Sequence, residues 1–271
     1  AAQYGGWLMF VYAVSQFSFA PVIGSLSDHF GRRPVLLISL AGFGIDYIIT
    51  GFSMNILWLF GARLVAGITG ASITTASAYI ADISSPEKKA QNFGLIGAAF
   101  GVGFIVGPVI GGLLGEFGPR VPFFAAAALT FLNFLYGYFV LPESLAPEHR
   151  RKFNFKRANP IGALRQIKKF PAITGLILIF FLLYIAQHAV QSTWTYYTME
   201  KFSWTERMVG ISLGVVGFFV GLVQGGLTRV VIPKLGEIRS VYFGLTFSVL
   251  GLIGFAFAPN GWFMLSVIAV Y

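Results

Sequence analysis

GSLSDHFGRRP, residues 24–34, is a short polar stretch set between two apolar runs, at about 4–26 and 34–52. Each run is long enough to cross a bilayer, which takes about 20 apolar residues as a helix. Within the stretch the spacing is Gly-x-x-x-Asp-x-x-Gly-Arg-Arg, formed by Gly24, Asp28, Gly31, Arg32 and Arg33. Gly24 and Gly31 permit close backbone approach and a sharp turn, and Asp28 lies where it can cap a helix end or pair with a cation. The two arginines anchor the turn just outside the hydrocarbon. An ordinary charged loop accounts for the arginines alone, but not for the whole spacing.

Composition fixes the environment. The 271 residues are 56% hydrophobic and 11% charged, with 29 Phe, and the mean hydropathy is +0.76. A soluble chain carries about a quarter charged residues, so this is an integral membrane protein. The net charge of +9 sits in the loops and needs no nucleic-acid partner. With no Cys in the chain, disulfides and thiolate metal sites are excluded, and no metal site is expected.

Apolar runs occur at about 4–26, 34–52, 56–82, 91–117, 121–142, 171–196, 207–232 and 239–258, and a ninth starts at Trp262. They are continuously apolar and do not alternate, so helices are expected and a barrel is not. The expected fold is all-α, with eight complete transmembrane helices and the start of a ninth. Loops after the first, third, fifth and seventh runs hold Arg32, Arg33, Lys88, Lys89, Arg150, Arg151, Lys152, Lys156, Arg157, Arg165, Lys168, Lys169, Arg229, Lys234 and Arg239. The opposite loops hold only Arg120, Lys201 and Arg207. This asymmetry puts the basic side in the cytoplasm and the N-terminus outside.

Two further stretches carry specific spacing. GVGFIVGPVIGGLLG in the fourth run holds Gly103, Gly107, Pro108, Gly111 and Gly112. Steps of four line Gly103, Gly107, Gly111 and Gly115 along one face, where a neighbouring helix is expected to pack closely, and Pro108 bends the helix there. RLVAGITGASITTASAYIAD in the third run places Arg63 inside the membrane and Asp82 at its end. An intramembrane arginine costs about 2.5–3.5 kcal/mol on insertion scales, so it faces the interior or, alternatively, snorkels from a helix end. Asp46 is the only acidic residue in the middle of a run. Burial of an isolated carboxylate favours its neutral form, which suits reversible protonation; a carboxyl hydrogen-bonded to a neighbouring helix is the alternative.

The opening stretch resembles the loop motif of the major facilitator superfamily. Gly-x-x-x-Gly-Pro-x-x-Gly-Gly is similar to that superfamily's antiporter motif, and the segment starting at Arg63 to its arginine motif. Together with DYII, YIADI and LPES they look like the tetracycline/proton antiporter family of drug exporters. The resemblance implies a proton-coupled antiporter exporting drugs or small amphipathic molecules by alternating access across a bacterial inner membrane. It implies no cofactor beyond the proton gradient and no enzymatic activity. Proton coupling falls to Asp46 and Arg63, and a cytoplasmic gate to Gly24, Asp28, Gly31, Arg32, Arg33 and Asp82. Two positions depart from the family: His29 stands where a fixed cation is usual, and Ser248 where tetracycline pumps carry an acid. A transporter of a non-drug metabolite and a transport-incompetent fragment are the alternatives.

The resemblance also implies two halves, 1–142 and 171–271, joined by a cytoplasmic loop over 143–170, with the family's first helix and most of its last three absent. Candidate cavity residues are Gln16, Gln224 and, on the sixth run, Gln187, His188, Gln191 and Trp194. Gln187, Gln191 and Trp194 share one face. Amide and aromatic groups suit an amphipathic drug, and equally an interfacial belt.

Overall fold

The computed structural model describes residues 2–154, 158–160, 162 and 171–271, without the side chains at 2, 90, 171–174, 176, 224, 225, 229 and 237. Lys156, Arg157, Arg165, Lys168 and Lys169 therefore lie outside the described residues, as do the side chains of Gln224 and Arg229. Every described element is helical: α1 (Ala2–Phe30), α2 (Arg32–Gly51), α3 (Ile56–Gly70), α4 (Ile73–Ile83), α5 (Lys89–Gly115), α6 (Val121–Val140), α7 (Pro171–Phe202), α8 (Glu206–Leu222), α9 (Thr228–Leu235), α10 (Glu237–Ala256) and α11 (Gly261–Ile268). Seven described helices have the length and hydropathy to span a membrane, with Ile56–Ile83 counted as one.

The run expected at 207–232 is the one that fails this length criterion. Its regular helix α8 has 17 residues and gives way to a π-helical turn, Val223–Leu227, before α9. Elsewhere boundaries follow local chemistry. Asn55 caps α3 by accepting from the amides of Leu57 and Trp58 at 3.0 and 3.3 Å, and Asn260 caps α11 through the Phe263 amide at 2.8 Å. Between α1 and α2 only Gly31 is non-helical, at φ 106°. That left-handed conformation is costly for any residue bearing a Cβ.

Two compact units divide the chain. In the first, residues 1–93 and 123–193, α1 crosses α3 at Gly67. A Cβ added there would stand 2.5 Å from Ser15 Cβ and 2.6 Å from the Tyr12 carbonyl oxygen. On α2, Gly44 and Gly51 receive the rings of Phe131 and Phe124 from α6, each 2.7 Å from an added Cβ. Without a hydrophobic drive between helices in lipid, such close approach is what holds them together.

In the second unit, residues 94–122 and 194–271, α5 packs on α8. A Cβ on Gly210 would lie 2.7 Å from the Pro108 carbonyl oxygen and 3.0 Å from Gly112 Cα, while Gly214 and Gly217 receive Val109 and Ile105. The expected stripe is therefore displaced: an added Cβ at Gly103, Gly107 or Gly111 meets nothing within 4 Å among the described residues, and the tight crossing uses Gly112. The reason is on the partner helix, whose own glycines meet the Ile105–Pro108–Gly112 side of α5. Trp194 is buried here, donating from Nε1 to Ser212 Oγ at 2.9 Å and packing edge-on against Phe255.

Replacing Gly67 by Ala should destabilise the protein by about 1–3 kcal/mol through overpacking. Gly61→Ala, in the same helix with open space around it, should be neutral or stabilising by up to about 1 kcal/mol through helix propensity. Thermal unfolding in detergent measures both; a Gly67→Ala protein as stable as the parent would refute the crossing.

Candidate functional site

The basic-side turn between α1 and α2 holds a charge cluster built on Arg32. Its guanidinium donates from Nη1 to Asp28 Oδ1 at 2.5 Å and Ser27 Oγ at 2.7 Å, and from Nε to Asp82 Oδ2 at 3.1 Å. Asp28 sits in the last turn of α1, on the helix and not in a loop, four residues before its partner. Asp82, from the end of α4, also accepts from Ser144 Oγ at 3.2 Å. Arg32 is only 9% exposed. A charge so desolvated is tolerable because two carboxylates and a hydroxyl answer it.

Glu143, just past α6, completes the cluster and was not among the residues singled out from sequence. Its carboxylate accepts from the backbone amides of Arg32 at 2.9 Å and Arg33 at 3.3 Å. These amides belong to the first turn of α2, whose N–H groups have no intrahelical acceptor and favour a negative charge. Gly31 suits this junction because its φ of 106° disfavours a side chain and because an added Cβ would press on the Glu143 carboxylate. Arg33 turns the other way, donating to the Tyr138 carbonyl at 2.6 Å and lying 5.5 Å from the Tyr138 ring centroid. Gly24 has no neighbour within 4 Å of an added Cβ among the described residues.

A second cluster lies within the spans, between α2 and α3. Asp46 on α2 is 1% exposed and accepts from Arg63 Nη2 on α3 at 3.1 Å. The same Nη2 reaches Thr50 Oγ1 at 3.4 Å. Among the described residues, Asp46 Oδ1 is buried with no hydrogen-bond partner. Tyr12 and Tyr47 lie within electrostatic range of both charges, and Gln16 contacts Tyr12 and donates to the Gly70 carbonyl at 3.1 Å. Arg63 thus points into the helix bundle and does not snorkel. The arrangement is a buried ion pair with one spare acceptor, next to phenols and an amide.

The remaining candidates are more dispersed. Gln187, His188 and Gln191 are exposed on α7, with His188 stacked at 6.0 Å on Tyr184, whereas Trp194 is buried with Ser212. The face they share is thus divided between open amides and a packed indole. Within the second unit, Phe202, Trp204, Met208, Asn260 and Trp262 line a hollow of about 420 Å³. No group of three or more His, Cys, Asp or Glu able to hold a metal occurs among the described residues.

The profile of the Major Facilitator Superfamily matches residues 1–271. The chain belongs to the Major Facilitator Superfamily. Within it, the chain is 42% identical over 262 residues to the class C tetracycline resistance protein of Escherichia coli, a match covering 96% of this chain and 66% of that protein. It is 36% identical to the class G tetracycline resistance protein of Vibrio anguillarum, covering 99% and 68%. The chain thus spans about two thirds of the length of these relatives. Among solved structures it is similar to the human organic anion transporter MFSD10 (TETRAN), with a TM-score of 0.74 and 25% identity over 98% of this chain and 68% of that one. This superfamily member is a multi-pass inner-membrane protein similar to tetracycline resistance proteins.

Removing Arg63 alone leaves the Asp46 charge buried and unanswered, so Arg63→Leu should cost about 3–5 kcal/mol. Adding Asp46→Asn should recover most of that loss. Thermal unfolding of the two single variants and the double variant forms a cycle, and strict additivity would show that the pair does not interact.

Proposed function

We propose that this protein exports an amphipathic small molecule of the drug type in exchange for protons, by alternating access. The observation that carries the reading is the Asp46–Arg63 pair, with its spare buried oxygen. Ion pairing and protonation compete for the same carboxylate. When a proton binds Asp46, the attraction to Arg63 falls away and the guanidinium is free to take other acceptors. When the proton leaves, the pair reforms. A site with two such states biases a two-state helix packing, which is the minimum that coupling requires. The similarity to tetracycline resistance proteins supports a drug as substrate.

The Arg32 cluster then serves as the cytoplasmic gate. Its carboxylates hold α1, α2 and α4 together at the basic end, and in this reading they part and re-form once per cycle. Gln16, beside Tyr12 and Gly70, is the best placed of the cavity residues to sense the state of the Asp46–Arg63 pair. Gln187, His188 and Gln191 offer polar groups to a passing substrate from α7.

In inverted membrane vesicles carrying the protein, an imposed pH difference should drive accumulation of labelled tetracycline or of a second amphipathic drug. Asp46→Asn, which fixes the neutral form, should abolish this accumulation and leave exchange of labelled for unlabelled drug intact. Accumulation by Asp46→Asn at the parent rate would make Asp46 structural. No drug uptake by the parent protein, with a non-drug metabolite accumulated instead, would replace the substrate class and keep the coupling.

A further inference from the structure

The segment after α6 reaches well beyond Glu143. Pro142 accepts from the Tyr79 hydroxyl at 3.1 Å, Ser144 bonds Asp82, and Leu145 is buried at 8% exposure. Glu143 Oε1 also accepts from the amides of Ser144 and Leu145, each at 3.0 Å, so the segment is locked into a turn about its own carboxylate. A 3₁₀ turn, Pro147–His149, then carries the chain back across the end of α1. There the Arg151 amide donates to the Asp28 carbonyl at 2.9 Å. His29 Nδ1 donates in turn to the Arg151 carbonyl at 3.2 Å, which places the imidazole proton on Nδ1.

The same nine residues thereby answer both ends of the α1–α2 turn. Asp28 O is one of the last carbonyls of α1 and has no acceptor role within that helix; the Arg32 and Arg33 amides are the first of α2. Glu143 caps one end and Arg151 the other, from more than a hundred positions away in sequence. His29, which departs from the family's usual fixed cation, is the side chain that fastens the second cap.

We propose that residues 143–151 form a latch on the α1–α2 turn, fastened by Glu143 at the start of α2 and by the Arg151–His29 pair at the end of α1. The latch and the turn move as one unit: opening either exposes unpaired backbone groups on the other, so loosening one loosens both. It depends on the geometry of the turn and not on proton coupling, and a failed transport assay leaves it standing.

Hydrogen–deuterium exchange of the whole 271-residue protein in lipid nanodiscs tests this. The amides of Leu145 and Arg151 should exchange at least about tenfold more slowly than in a free peptide. His29→Ala should accelerate exchange across 143–151 and across 31–33 together, by about tenfold for the loss of one hydrogen bond of ordinary net strength. His29→Gln, which keeps a donor, should restore protection. Asp28→Asn, made on the other side of the junction, should loosen 143–151 by the same reciprocity. Exchange in α3 serves as the folding control. Free-peptide exchange at Arg151 in the parent protein, or loosening of 143–151 with 31–33 unchanged, overturns the latch.

Discussion

A desolvated guanidinium must have its charge answered where it stands, and at Arg32 this requirement organises one end of the molecule. Asp28 comes from α1, Asp82 from α4, and the backbone amides beside the guanidinium draw Glu143 from beyond α6. Four chain segments thus meet because one cation and two orphan amides would otherwise be unpaired. Each bond is modest, about 1.5–3 kcal/mol for a hydrogen bond to a charged group. Their number, and the cost of leaving any member unanswered, make the junction cooperative.

Further into the membrane the constraint changes from charge to shape. Lipid gives no advantage to burying one apolar helix against another, so the helices meet where a missing side chain lets backbones approach. Gly67 does this for α1 on α3, and Gly112 with Gly210 for α5 on α8. The Asp46–Arg63 ion pair sits in the first of these units, between α2 and α3. Beside it α2 meets α3 at Gly42, where an added Cβ would collide with Thr69.

The sequence disclosed whatever depends on composition along the chain. Spans were readable because about 20 consecutive apolar residues have one outcome in lipid; Asp46 and Arg63 stood out as charges placed where charges are costly, and Asp28 by its spacing in the polar stretch. What could not be read was which charge meets which. Arg63 lies 17 positions from Asp46 and Glu143 lies 111 from Arg32, and no helical period links them. Glu143 was visible only as a letter in LPES; the signal that could have found it was a carboxylate beside Pro142, close to a helix start lacking its own cap. The glycine stripe of α5 misled for a related reason: spacing shows that a face is smooth, but the partner helix decides which face is used.

The π turn at Val223–Leu227 has a consequence for how substitutions in that span should be interpreted. A π-helical turn takes up more residues than an α-helical one, so the helical wheel that fits Gly210, Gly214 and Gly217 no longer applies past it. Residues of α9 that share a heptad position with those glycines on paper point elsewhere in space. Two neutral changes drawn on one face of the idealised helix would fall on two faces of the real one. The span thus offers its glycine surface to α5 over one stretch and a rotated surface over the next.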